Sequence, residues 1–343
     1  MRGIVIAGGL GTRLRPLTLT RPKPLMPLAG APLLEYQLSY LRAAGVSEVC
    51  FATNYMADAV EREFGDGSAM GMKISYAVEA EPLDTAGAIR NAYDAIPGED
   101  CVVFNGDVIH GFDIADIIRL HKERDAYVTL TLKRVERPHA YGVVPLGDNE
   151  RVLGFLEPTD EQKRRVGGPA TGEFDTINAG LYVMRKEALE AIPQRRCNIE
   201  REVFPAFVNE GKMVFGDVRD DFWIDIGKPE QYLRAVSAIV AGEVGSPRSF
   251  LRVEEGAVDP NAEVADDVRL CCGCSVGAGA VIEAGSEICN SAVLEGARIG
   301  EGCKVTGSII GEGAVIGEGS EIEASAIAPG SVLGAFSKLG SVK

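Results

Sequence analysis

Gly8-Gly9-Leu10-Gly11-Thr12-Arg13-Leu14-Arg15-Pro16-Leu17-Thr18, closed by Arg21-Pro22-Lys23-Pro24-Leu25, is the stretch whose reading decides the fold. It follows the apolar run Gly3-Ile4-Val5-Ile6-Ala7, which reads as a fully buried strand, and precedes 33–41, where apolar residues recur at helical spacing. A glycine-rich turn therefore leaves a strand end, and cations follow it. Glycines let backbone N–H groups approach an anion with no Cβ in the way. Between Met1 and Leu34 stand Arg2, Arg13, Arg15, Arg21 and Lys23 and no acid, in a chain of formal charge −15. That local reversal of sign is best explained by a bound polyanion. A turn whose cations are merely solvated would leave it without a cause.

Outward from this loop, to about residue 133, apolar runs alternate with amphipathic stretches. The pattern predicts strands at 3–7, 48–53, 73–78, 101–105 and 127–132, with helices at 33–44, 56–64, 85–95 and 114–124. Such alternation implies βαβ units, and so an α/β, Rossmann-like, mostly parallel sheet with helices on both faces. Ligands on such sheets collect at the carboxyl ends of the strands, where residues 8–13 fall. Phe104-Asn105-Gly106-Asp107 ends the fourth strand, and Phe222-Trp223-Ile224-Asp225-Ile226-Gly227-Lys228-Pro229 ends a later one, Pro229 then starting a helix to about residue 240. Strand-end carboxylates suit Mg²⁺, which takes one or two of them plus substrate phosphates; Gly-Asp is equally an ordinary turn.

Two familiar phosphate motifs do not fit the loop. A dinucleotide fingerprint needs glycine where Leu14 stands, and a P-loop needs a G-K-[ST] that is absent. G-G-x-G-T-R-L-x-P-L-T followed by P-K-P-L resembles instead the signature of the sugar-1-phosphate nucleotidyltransferases, the nucleoside-diphosphate-sugar pyrophosphorylases. The resemblance implies nucleotide binding by Ala7, Gly8, Gly9, Gly11, Thr12 and Arg13, and by Glu81, Pro82, Thr85, Ala86 and Gly87 in a segment that helps to read the base. That family often has glycine where this chain has Asp84. It implies sugar-phosphate binding by Asn105, Gly106, Gly142, Glu157, Asn178 and Lys163, catalytic roles for Arg13, Lys23 and Asp107, and a magnesium ion on Asp107 and Asp225. Gly142 and Gly180 could equally mark strand bulges or bends. Where the family usually has F-x-E-K-P, this chain reads Phe155-Leu156-Glu157-Pro158, and Lys163, Arg164 and Arg165 are the nearby cations that could take over from the absent lysine. The segments 198–207 and 222–231 resemble the mannose-1-phosphate guanylyltransferase branch.

After about residue 241 the text becomes glycine-rich, with an aliphatic residue about every six positions: Val258, Val264, Leu270, Val276, Ile282 and Ile288, then Leu294, Ile299, Val305, Ile310, Ile316, Ile322 and Ile327. Small residues such as Ala280, Ser286, Cys303 and Ser320 stand four positions after most of them. This is the hexapeptide period of a parallel β-helix; that it is left-handed is implied by resemblance to the hexapeptide proteins. The expected domains are 1–242, a linker at 243–252, and 253–343. Acyltransferases on such repeats rely on a histidine base, whereas His110, His121 and His139 all precede the repeat. A role in assembly, as a homo-oligomer through the β-helix, is expected instead.

Bulk properties narrow the field further. No apolar run approaches ~18 residues and the N-terminus enters a strand at once, so neither a membrane partner nor a signal peptide is expected, and a cytoplasmic location is. A pI near 4.8 argues against nucleic acid. Of eight cysteines, Cys50 and Cys101 read as buried thiols, while Cys271 and Cys289, 18 apart, should stack on adjacent coils. Stacked thiols explain the Cys271, Cys272, Cys274, Cys289 and Cys303 cluster better than zinc, since the only C-x-x-C spacing is Cys271 to Cys274. The partners implied are a nucleoside triphosphate and a sugar 1-phosphate, with GTP and mannose 1-phosphate the expected pair. Thymidylyl, uridylyl or adenylyl transfer to glucose 1-phosphate, and a non-catalytic subunit that binds nucleotide sugar, are the alternatives.

Overall fold

The computed structural model describes residues 1–135, 142–156 and 176–340; His139, Tyr141, Glu157, Pro158, Lys163, Arg164 and Arg165 lie outside the described residues. By its contacts the chain forms two compact units. One comprises Met1–Gly9, Gln37–Val108 and Phe112–Trp223, the other Leu10–Tyr36, Ile109–Gly111 and Ile224–Lys343.

The first unit is built on seven strands: β1 (Arg2–Ile6), β2 (Glu48–Thr53), β3 (Lys73–Val78), β4 (Cys101–Asn105), β5 (Val128–Arg134), β6 (Thr176–Met184) and β7 (Val214–Arg219). They lie in the order β7-β5-β6-β4-β1-β2-β3. The sheet is mostly parallel, as expected, with β6 running antiparallel to both β4 and β5. Central strands of such a sheet are covered on both faces, which is why they read as unbroken apolar runs. Ile4, Val5, Val103 and Phe104 are indeed fully buried. The helices are α1 (Leu33–Ala43), α2 (Ala57–Phe64), α3 (Asp84–Ala95) and α4 (Ile114–Glu123), close to their expected spans. Asp113 caps α4 by accepting from the Asp116 N–H.

β1 sits between β2 and β4: the chain runs outward from β1 through β2 to β3 and then crosses back to β4 on the other side of β1. The carboxyl ends of β1 and β4 are thus the switch point at which open α/β sheets bind ligands. Ile6 and Asn105 are register partners there, and the Gly106 N–H donates to the Ile6 carbonyl at 2.9 Å.

Val108–His110 and Trp223–Asp225 form a two-stranded sheet, and helix α5 (Pro229–Ala241), in the second unit, follows. Beyond it three sheets of short parallel strands stack coil on coil, the pattern of a left-handed parallel β-helix. Leu251–Val253 leads in, antiparallel to Gly256–Val258. The inward series departs from the sequence reading at one place. Val293, not Leu294, pairs with Val276 on one side and Ile310 on the other. The short corner therefore falls between Ile288 and Val293, and recurs on the same side between Val305 and Ile310 and between Ile322 and Ile327.

Cys271 and Cys289 are register partners, as their spacing predicts, but the structure joins them in a disulfide, their Cα atoms 4.6 Å apart. That separation is within disulfide range, so stacking itself brings two cysteines to bonding distance. The sulfurs of Cys271, Cys272 and Cys289 lie within 4.8 Å of one another, with two of the three used by the bond. Cys50, Cys101, Cys197, Cys274 and Cys303 are buried thiols, and burial pushes Cys101 up to about 12. Cys303 stands in a column of hydroxyl residues. Its N–H donates to Ser286 Oγ, its thiol lies 3.2 Å from the Gly317 carbonyl, and the Ser337 N–H repeats the pattern with Ser320 Oγ. α5 packs on the first coil: a Cβ on Gly273 would fall 2.8 Å from Ser237 Cα.

Candidate active site

In the first unit the site residues gather at the ends of β1, β3, β4 and β6. Gly8 follows β1 and lies against Asn54, with the Glu79 carboxylate just beyond. Glu79, which the sequence reading did not single out, accepts from the Leu83 N–H at 3.0 Å and so shapes the 79–83 loop. Glu81 and Pro82 are exposed on that loop. Thr85, Ala86 and Gly87 follow in the first turn of α3. Thr85 Oγ1 accepts from the Ile199 N–H at 2.9 Å, and the Ala86 and Gly87 amides both donate to the Cys197 carbonyl. Their polar groups build the loop–helix junction. Asp84 has φ +60°, a left-handed conformation that glycine adopts without strain and Asp tolerates through local hydrogen bonds. Its carboxylate accepts from the Thr85 N–H at 2.7 Å and from Asn198 Nδ2 at 3.0 Å.

At β4, Asn105 and Asp107 are partly buried around Gly106, where a Cβ would fall 2.6 Å from the Ile6 carbonyl. β6 carries a bulge opposite Leu130 to Leu132, with Gly180 at φ +75° inside it. Gly180 therefore marks a strand bulge, and a bulge re-aims the side chains beside it. Asn178 Nδ2 donates to Glu200 at 2.5 Å and to the Tyr182 hydroxyl at 2.7 Å, while Asn178 Oδ1 accepts from the Gly180 N–H. A cleft of about 310 Å³ is lined by Gly142, Phe155, Leu156, Glu200 and Arg201, among others. Glu200 and the cation Arg201 were missed as site residues. Their signal was the segment 198–207, singled out in the sequence for its resemblance to the mannose-1-phosphate guanylyltransferase branch.

In the second unit the loop continues with Gly11, whose carbonyl accepts from Thr18 Oγ1 at 2.8 Å. Thr12 and Arg13 are exposed, and Lys23 is only 7% exposed. The Arg13 guanidinium lies on Gly227: a Cβ there would be 2.8 Å from Nη2 and 2.9 Å from Cζ. The first and last motifs of the sequence are thereby brought together. The Gly227 N–H donates to Gln231 Oε1 at 2.9 Å, which holds the Asp225–Gly227 turn against α5. Asp107, in the first unit, and Asp225, in the second, are each a partly buried carboxylate beside a strand end, and each by itself is a hard oxygen donor of the kind Mg²⁺ takes together with substrate phosphates.

A doubly wound sheet whose first strand runs into a glycine-rich segment is suited to binding phosphates, and comparison with known proteins gives the class. Residues 2–242 match the family model described as nucleotidyl transferase, and the chain belongs to that family. Residues 253–339 match the model described as GMPPB C-terminal domain. Among curated relatives, a mannose-1-phosphate guanylyltransferase of Mycobacterium tuberculosis is 42% identical over 83% of this chain and 77% of its own length. A mannose-1-phosphate guanylyltransferase catalytic subunit beta of Danio rerio is 35% identical over 77% of this chain and 73% of its own. Among solved structures, HddC from Yersinia pseudotuberculosis complexed with GMP-PN has a TM-score of 0.57 at 29% identity, covering 68% of this chain and 98% of that one. The chain is a nucleotidyltransferase of the kind similar to mannose-1-phosphate guanylyltransferases.

Proposed function

We propose that this enzyme transfers GMP from GTP to mannose 1-phosphate, giving GDP-mannose and pyrophosphate. Likeness to relatives of that name supports the substrate pair. The observation that carries the mechanism is the seat of Arg13 on Gly227, which fixes a loop cation beside the Asp225 turn. The sugar-phosphate oxygen attacks the α-phosphorus in line and pyrophosphate leaves, so the protein's work is positioning and charge neutralisation. Backbone amides of residues 8–12, reached from Ala7, cradle the triphosphate; Arg13 faces the leaving pyrophosphate and Lys23 the reacting phosphates. Glu81 and Pro82 contact the base, with Thr85, Ala86 and Gly87 holding their loop. Asn105, Gly106, Gly142 and Asn178, with Glu157 and Lys163, receive the sugar phosphate, and Arg201 adds positive charge to that cleft. Asp107 and Asp225 would hold Mg²⁺, which supplies neutralisation of phosphate charge.

The domains we assign are 1–242 and 253–343, joined by 243–252. No described helix is long and apolar enough to cross a membrane, and the location we propose for the enzyme is cytoplasmic. Val332 and Phe336, 73% and 70% exposed on the last coil, are the surface through which we expect the β-helix to form a homo-oligomer. The test is pyrophosphate release with Mg²⁺, crossing GTP, UTP, dTTP, ATP and CTP against mannose 1-phosphate and glucose 1-phosphate. Preference for GTP with mannose 1-phosphate is expected. Another preferred pair would replace the substrates, and folded protein that binds nucleotide sugar without turnover would replace the enzyme with a regulatory subunit.

A further inference from the structure

Arg21 stands between the glycine-rich loop and Lys23, and its side chain is 28% exposed. Its Nη2 lies 2.9 Å from Glu312 and 3.7 Å from Glu295. These carboxylates occupy one corner of the β-helix on successive coils. The Gly313 N–H donates to the Glu295 carbonyl and the Gly330 N–H to the Glu312 carbonyl, each a single coil down. By the same ladder the coil before carries Ala278 and the coil after carries Pro329. The position that Glu295 and Glu312 share is therefore not acidic on either flanking coil, and the two acids fall on the coils that Arg21 reaches. Like charges on neighbouring rungs repel. The cation between them explains why both are there.

The connection from Arg21 to Lys23 is short and stiff. Pro22 and Pro24 fix φ on either side of Lys23. The Leu25 N–H donates to the Pro22 carbonyl at 2.9 Å and the Met26 N–H to the Lys23 carbonyl at 3.0 Å, closing the turn. Farther along, the Tyr232 hydroxyl donates to the Pro27 carbonyl and Arg248 pairs with Glu35 at 2.6 Å. Those ties hold the far end of the segment, and Arg21 ties down the end that precedes Lys23. By its contacts the whole segment Leu10–Tyr36 belongs with the β-helix.

We propose that Glu295 and Glu312 position Lys23 through Arg21, so that the β-helix is part of the catalytic machinery as well as an assembly surface. Arg21 is a positioning residue in this account. The proposal rests on the reading of Lys23 as the cation on the reacting phosphates. Its test uses the full-length enzyme and the double variant Glu295→Gln/Glu312→Gln, both side chains being substantially exposed and so safe to neutralise. Amide hydrogen exchange of residues 19–28 should quicken about tenfold, the size of a loop released from a partly exposed ion-pair anchor. Turnover should fall about fivefold with KM for GTP unchanged, since a displaced cation loses more in the transition state than in the ground state. Arg21→Ala should add little in the double-variant background, and Arg21→Glu should be partly rescued by Glu312→Arg. Unchanged exchange in the double variant would overturn the proposal whatever the reaction is, because exchange needs no substrate. Faster exchange with unchanged turnover would keep the anchor and overturn its catalytic role. An Arg21→Ala loss of equal size in both backgrounds, carried in KM, would make Arg21 a substrate contact instead.

Discussion

Arg13 owes its place to an atom that is missing. The guanidinium plane rests where the Cβ of residue 227 would stand, so Gly227 gives it a flat seat, and the N–H of the same residue is held by Gln231. Gly227→Ala should push the guanidinium aside with no gap opened in the core. We expect turnover to drop by about 10- to 100-fold, less than the roughly 100- to 1,000-fold cost of removing such a donor outright because the guanidinium is displaced and not lost, with thermal stability little changed. Steady-state kinetics beside a melting curve would check this, and the loss should be non-additive with Arg13→Ala. Asp84 poses the opposite problem, a side chain where none is needed. In the left-handed region a β-carbon is strained by roughly 1–2 kcal/mol, and Asp offsets this with bonds to the Thr85 N–H and Asn198 that alanine cannot make. Asp84→Ala should therefore be less stable than Asp84→Gly by about 1 kcal/mol in chemical denaturation, although glycine is the more flexible residue in the unfolded chain. Equal stabilities would mean that strain at this position is not felt.

The strands and helices of the first unit were legible because each is a run of apolar residues with its own period, bounded by turns. The bulge at Gly180 was only half legible. A glycine inside a strand announces an irregularity, but not that Asn178 would be turned toward Glu200. The seat of Arg13 on Gly227 could not be read at all from spacing, since it joins the two ends of the family domain through folding alone. In the β-helix the period was clear while one rung was misassigned. Val293 and Leu294 are adjacent, both aliphatic and both buried, and only pairing with Val276 and Ile310 decides between them. The hydroxyl column beside these rungs makes a further point at this scale. Cys303 is fully buried, where Cys→Ser ordinarily leaves an unsatisfied hydroxyl. Here Ser286 and Ser320 fill equivalent places, each hydroxyl donating to a carbonyl as the Cys303 thiol does to Gly317. Cys303→Ser should thus change unfolding free energy by less than about 1 kcal/mol, whereas the unsatisfied hydroxyl of an apolar column would cost about 1–3 kcal/mol. Urea denaturation distinguishes the two.

Across the whole molecule, the response to acid is set by two histidines that the fold keeps from water. Burial pushes His110 down to about 3 and His121 down to about 4. Both are neutral in the folded protein at neutral pH, and His121 Nδ1 lies 2.9 Å from Thr129 Oγ1. In the unfolded chain each regains the ordinary value of 6.5, so below that pH the unfolded state binds more protons than the folded one. Stability is therefore complete above pH 6.5 and is lost as pH falls, the His121 contribution levelling off only below its folded value near 4. At about pH 5 the linkage from His121 alone amounts to roughly 2 kcal/mol. Exposed carboxylates held low by arginines, such as Asp116, weaken the fold in more acidic solution, so the interval above pH 5 isolates the histidines. His121→Asn retains a polar atom near Thr129 and removes the titration. The variant should be less stable than the parent at neutral pH because the ring's packing is lost, yet the difference should shrink by about 2 kcal/mol on going to pH 5. Urea unfolding of both proteins at several pH values measures that difference directly. A gap that stayed constant with pH would mean that His121 takes up its proton in the folded state as readily as in the unfolded one, and that the burial seen around it does not exclude the charged ring.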